Sequence, residues 1–206
     1  MSELLPRPQV WSDFDGTAVE LTGAINPRNW LKYPLDLMHG YPDFLRGVQD
    51  EGVEVAGIVS RRPELRRWVT NRSIKVLGLD EFFWHPDQIN LVGSERKKGQ
   101  FVVEKSQLAP VGMLEDKPHK IGAVLLKELI KNPEEQSVVL GVPPNIEAYE
   151  SVSRLVKEAE TTGAKIIRNS DGTINIAGES FRLGVVLLQH YSKDAGKDFA
   201  QRVLSS

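Results

Sequence analysis

The chain contains no cysteine. That absence removes disulfides, zinc–thiolate sites and a cysteine nucleophile from consideration, and leaves the compartment open. Long apolar runs are also missing, and Met1 to Pro8 lack the basic-then-apolar pattern of an export signal. The expectation is a cytoplasmic protein with no membrane contact. Charge of one sign is lacking too: 26 Lys and Arg face 28 Asp and Glu, a net charge of −2. No global field then favours nucleic acid or an anionic surface. His85, His119 and His190 show no metal-ligand spacing, so surface or capping roles are expected of them. There is no repeat, low-complexity tract or linker. The 206 residues read as one domain, 1–206, long enough to bury a sizeable core.

What is present is Trp11-Ser12-Asp13-Phe14-Asp15-Gly16-Thr17. Two carboxylates, two residues apart, end a short apolar run and are followed at once by Gly-Thr. A strand ending there projects Asp13 toward the mouth of a sheet. Asp15 follows on the first bend of the loop, which Gly16 permits. Acids so close repel unless a cation lies between them or one holds a proton. Both remedies suit phosphoryl transfer: Mg²⁺ supplies charge, and the second carboxyl gives and takes a proton.

The remaining pattern alternates strands with helices. Residues 9–12 predict the first strand. Residues 17–40, broken by Gly23, Pro27 and Pro34, fit a loop or small hairpin lid. A helix is expected over 41–50, with Phe44, Leu45 and Val48 on one face and Gly52 as its stop. Residues 53–59 form an apolar, β-branched strand that ends at Ser60. Further helices are expected over 63–77 (Leu65, Trp68 and Val69 apolar), 98–106, 119–131 and 146–162. Further strands fall at 82–85, 111–114 and 137–142. A hairpin joins 165–168 to 173–176 around Ser170-Asp171-Gly172. The tail, 181–204, reads as helical, with 185–188 as an alternative strand.

This alternation implies βαβ units and a mainly parallel sheet, an α/β Rossmann-like three-layer sandwich. Ligands of such sheets sit beyond the carboxyl ends of the strands. Three strands end in polar residues: Asp13/Asp15, Ser60 and Glu115/Asp116. A parallel sheet brings those ends to one edge. Ser60 also suits a helix N-cap, and a hydroxyl at a helix N-terminus lies where a phosphate binds. Arg61, Arg62, Arg66, Arg67 and Arg72, with Arg96, Lys97 and Lys98, read either as a solvated face or as a rim for polyanions. Trp30, Trp68 and Trp84 are expected in core or lid packing rather than on bases. Asp171-Gly172-Thr173 repeats letters of the first motif, but Asn169 stands where the first acid would be, so a hairpin turn is expected.

With these residues in order, the chain resembles the haloacid dehalogenase (HAD) superfamily in its phosphatase branch. Asp13-Phe14-Asp15-Gly16-Thr17, Gly57-Ile58-Val59-Ser60, Lys98 and Gly112-Met113-Leu114-Glu115-Asp116 match its four motifs across residues 10–116. The resemblance implies a Mg²⁺-dependent phosphatase that passes through an aspartyl-phosphate. Asp13 would be the nucleophile and Asp15 the general acid and base. Ser60, Arg61 and Lys98 would hold the phosphoryl group. Asp116, Glu115, Asp13 and the Asp15 backbone carbonyl would hold the metal. Lys97, Lys105 and Lys117 are alternatives for the site lysine. Asp15 favours a phosphatase over a dehalogenase, because a halide needs no proton to leave. The short gaps after the first and second motifs imply little or no cap, with 17–40 as a flap. The substrate is then a phosphorylated small molecule or a nucleic-acid end, the latter making a polynucleotide 3′-phosphatase. A catalytically weak interaction module is the reading from another class. For 165–206 three roles stay open: completing the sheet, covering its edge, or pairing with a second copy as a homodimer.

Overall fold

Strand β1 (Gln9–Ser12) lies near the middle of an eight-stranded sheet, with neighbours on both sides. The computed structural model describes residues 7–21, 35–131, 135–144 and 146–206. In chain order the elements after β1 begin with the antiparallel pair β2 (Val19–Leu21) and β3 (Leu35–Leu37). Helix α1 (Tyr41–Asp50), β4 (Glu54–Ser60), α2 (Arg67–Val76), β5 (Ile89–Leu91) and α3 (Glu95–Ser106) follow. Then come β6 (Val111–Leu114), α4 (Pro118–Lys131), β7 (Gln136–Val142) and α5 (Ile146–Thr161). The chain continues through β8 (Lys165–Arg168), β9 (Ile174–Ala177), β10 (Phe181–Leu187) and α6 (Lys193–Leu204).

The large sheet runs β5-β4-β1-β6-β7-β10-β9-β8. Every pairing from β5 through β10 is parallel; β10/β9 and β9/β8 are antiparallel. Six residues of β4 and all of β6 are buried, as a strand covered on both faces requires. One core layer joins Val102, Ile121, Leu125 and Leu155 of α3, α4 and α5 to the sheet. The other joins Phe44 and Val48 of α1, Ile74 of α2 and Phe199 of α6 to its opposite face. The result is an α/β three-layer sandwich of the Rossmann-like kind. Among the described residues no helix is long and apolar enough to cross a membrane.

Three expectations need correction. Residues 82–85 are not a strand. Short 3₁₀ turns at Leu79–Glu81 and Pro86–Gln88 flank them, and Phe82 and Phe83 are buried in the core. The edge strand is instead β5, too short at three residues to announce itself. The tail is not helical from 181: β10 is a full parallel strand and only Lys193–Leu204 is helix. Phe181, Leu183 and Val185 alternate with more exposed neighbours, a period of two that packing against β7 selects. Residues 165–206 therefore complete the sheet. Finally, the helix expected over 63–77 begins at Arg67, after a 3₁₀ turn at Glu64–Arg66; α2 buries Thr70 and Ile74, while Leu65 of that turn and Trp68 of α2 are exposed, at 77% and 57%. Its apolar letters do not mark its inner face. Trp84 is 74% exposed, so neither tryptophan packs in a core, and Trp30 lies outside the described residues.

The remaining signals hold locally. His85 caps the Pro86–Gln88 turn, accepting from the Asp87 N–H at 3.3 Å. Asp171 closes the β8/β9 hairpin by accepting from Thr173 N–H at 2.9 Å.

Candidate active site

The loop after β1 is built to reach across the sheet edge. Asp13 N–H donates to the Leu114 carbonyl at 2.9 Å, carrying the β1/β6 register one residue past the strand. Phe14 then turns the chain: its carbonyl accepts from Ala18 and Val19 N–H, both at 3.1 Å. Gly16 sits at φ 82°, where a side chain is strained. A Cβ there would also lie 2.4 Å from Asp116 Oδ2. This glycine lets the β1 loop touch the loop after β6. From beneath, Tyr41 donates to Ser12 Oγ at 2.8 Å, and Ser12 donates to the Asp13 carbonyl at 2.7 Å.

Lys98 is wholly buried on α3 and stands between two acids. Its Nζ lies 3.1 Å from Asp13 Oδ1 and 2.5 Å from Glu115 Oε2. Lys97, next to it, is exposed. Helix α3 begins at Glu95 rather than at Lys98, and Ser94 caps it by accepting from Lys97 N–H at 3.3 Å. Lys98 therefore lies one turn into the helix and faces the sheet.

Asp13, Glu115 and Asp116 each offer a carboxylate oxygen within 4.8 Å of the others. Burial pushes the Asp13 carboxyl up to about 8; Lys98 pulls it back in part, while Glu115, Asp116 and Asp15 add to the rise. Asp116 is pushed up to about 7, first by burial and then by Glu115. Burial also opposes the Glu115 charge, but Lys98 and the Lys117 N–H, 2.9 Å from Glu115 Oε1, outweigh it and hold this acid low. The ammonium of Lys98 is desolvated as well, yet Asp13 and Glu115 together hold its proton firmly. One buried cation thus serves three crowded acids, with Lys117 Nζ more distant at 3.6 Å from Asp116. An all-oxygen donor set with excess negative charge fits a hard divalent ion such as Mg²⁺.

Ser60 ends β4, the parallel neighbour of β1, is buried, and its Oγ accepts from the Arg62 N–H at 3.3 Å. Sequence reasoning assigned Arg61 to the substrate and left Arg62 in a basic run. The two have different partners. Arg61 lies 3.2 Å from Glu95 at the start of α3. Arg62 grips Asp15 with both arms of its fork, Nη2 to Oδ1 at 2.6 Å and Nε to Oδ2 at 2.8 Å. Its Nη1 donates to Thr70 Oγ1 at 3.1 Å, and its guanidinium lies 4.8 Å from the Phe14 ring centre.

Asp13, Lys98, Glu115 and Asp116 are thus brought together, Asp15 and Ser60 both meet Arg62, and Arg61 pairs with Glu95. The molecule is defined as an α/β sandwich carrying a buried acidic cluster at the carboxyl edge of its parallel strands. No protein-family profile, curated protein or solved structure matches the chain.

Proposed function

We propose that this chain is a Mg²⁺-dependent phosphatase of the HAD type, with little or no cap, that hydrolyses phosphate monoesters through an aspartyl-phosphate. The observation that carries the reading is the contact of Asp13 with Lys98 at 3.1 Å, inside a cluster that also holds Glu115 and Asp116. A carboxylate that attacks an anionic phosphate must overcome like-charge repulsion. Lys98 supplies part of the offset at the nucleophile. Bound between Asp13, Glu115 and Asp116, with the Asp15 carbonyl, a Mg²⁺ ion would supply the rest as Lewis acid and charge template.

The chain's own groups then divide the work. Asp13 forms a bond to phosphorus as the ester P–O bond breaks. A protonated Asp15 would give its proton to the leaving oxygen, for which Arg62 must first release one of the two carboxylate oxygens it holds. In the second step a water attacks phosphorus, Asp15 takes its proton, and the P–O bond to Asp13 breaks, restoring the carboxylate and releasing phosphate. Ser60 Oγ offers a hydrogen bond to a phosphoryl oxygen. Arg62 orients Asp15 through its two-armed contact.

A second substrate class has its own support. Trp68 is exposed on α2, which also carries Arg67 and Arg72, and exposed aromatics with arginines suit stacked bases. A nucleic-acid 3′ end is therefore a substrate to set beside small phosphate esters. The test is hydrolysis of p-nitrophenyl phosphate by the purified protein, with Mg²⁺ and with chelator. The expected result is metal-dependent release of nitrophenol that Asp13→Asn lacks. Turnover that survives in Asp13→Asn would refute the mechanism.

A further inference from the structure

At the far end of the sheet from Asp13, the strands β8, β9 and β10 leave a cavity of about 350 Å³ between their outer face and the end of α6. It runs along β10 from Arg182 to Val186, beside Ser137 and Val139 of the neighbouring β7, and shares no lining residue with the acidic cluster. Three observations point to a ligand there.

The first is Gly184, in the interior of β10 and on the cavity wall. A Cβ at this position would meet only ordinary contacts: Asn175 Oδ1 at 3.6 Å and Val139 methyls at 3.6 and 3.7 Å. The fold has room for a side chain, and glycine weakens a strand interior. Its bare backbone instead leaves a flat floor, flanked by Val139 and Val186, on which another group can lie closely. The second is Ser137 Oγ, which lines the cavity, is buried, and has no hydrogen-bond partner among the described residues. The third is charge. The lining includes Arg182 and Arg202 and no Asp or Glu side chain. Arg202 is held by Asp171 at 3.1 Å, but Arg182 is matched only loosely, 3.8 Å from exposed Glu135.

We propose that this cavity binds a small organic anion with a flat body. The ring lies on the peptide plane of Gly184 between Val139 and Val186. The anionic group meets Arg182, and Ser137 Oγ and the Asn175 amide bond the polar edge. The volume suits a molecule of mononucleotide size, within the usual range for small-ligand sites. This site is separate from the acidic cluster and does not depend on the phosphatase reading.

The probe is adenosine 5′-monophosphate, titrated into isotopically labelled protein with EDTA present and followed by amide chemical shifts. Saturable shifts are expected at Gly184, Asn175 and Val186, with a Kd below about 1 mM. Adenosine, which lacks the charge, should bind at least about tenfold more weakly, as should AMP to Arg182→Ala. Gly184→Val should abolish the shifts while the rest of the spectrum keeps its dispersion, since its Cβ has space and its methyls would stand on the floor where the ring lies. The proposal is overturned by shifts confined to residues 13–16 and 60, by no saturable shift, or by undiminished binding to Gly184→Val. Equal affinity for adenosine and AMP would overturn the anion assignment.

Discussion

Asp15 and Arg62 show how one side chain can set the working geometry of another. A guanidinium fork matched to both carboxylate oxygens fixes the Asp15 rotamer, and Thr70 fixes the guanidinium in turn. Replacing Arg62 by Ala leaves Asp15 free to rotate at the mouth. On the phosphatase reading, kcat should then fall by roughly 10- to 100-fold, the usual loss for a misplaced group. Arg62→Lys keeps the charge but not the fork, so it should recover only part of that loss. Steady-state kinetics on p-nitrophenyl phosphate measure both. If Arg62→Ala retains full kcat, the positioning role is wrong. The sequence pointed to Asp13, Asp15, Ser60, Glu115 and Asp116 because each ends or follows a strand. It left Arg61 and Arg62 indistinguishable, because which arginine reaches Asp15 depends on where α2 packs.

At the scale of elements, the contact between α1 and α6 depends on two glycines. A Cβ on Gly196 would lie 2.0 Å from the Phe44 carbonyl oxygen, and one on Gly47 would lie 2.0 Å from that of Lys193. Backbone blocks both positions, so a side chain can enter only if the helices move apart. Gly196→Val should therefore cost about 1–3 kcal/mol, the range for overpacked cores. Urea unfolding should show a lower midpoint with little change in slope. An unchanged midpoint would mean that the helices separate freely. This crossing matters for the site, because Phe199 and Val203 of α6 pack against the position of Gly112 on β6, the strand that leads to Glu115 and Asp116.

Across the whole molecule, the fold gathers like charge at one edge, and pH should report it. Asp13 and Asp116 have carboxyls raised to about 8 and about 7, so the folded protein holds their protons more tightly than the unfolded chain does. Their contribution is most favourable at low pH. It is lost as pH rises from the ordinary carboxylate range through those raised values. Metal-free protein should accordingly melt lower at pH 8.5 than at pH 5.5. Asp13→Asn should narrow that difference, and Mg²⁺ should raise the pH 8.5 melting temperature by roughly 5 °C at saturation. Thermal melts of both proteins, with EDTA and with Mg²⁺, test this. A Mg²⁺ shift of equal size in Asp13→Asn would remove Asp13 from the metal site.

The alternation of apolar runs with turn residues determined the α/β class, the order of most elements and the polar residues at three strand ends, because each is a local property of spacing. Long-range packing decided the rest. Whether 181–187 became strand or helix depended on β7 being there to pair with it. Lys98 rather than Lys97 met Asp13 because α3 turned that side toward the sheet, and capping at Ser94 set where the turn began. Trp68 went to solvent because Thr70 and Ile74 took the inner face of α2. In each case the chain offered two acceptable local states, and only the contacts made across the sheet selected one.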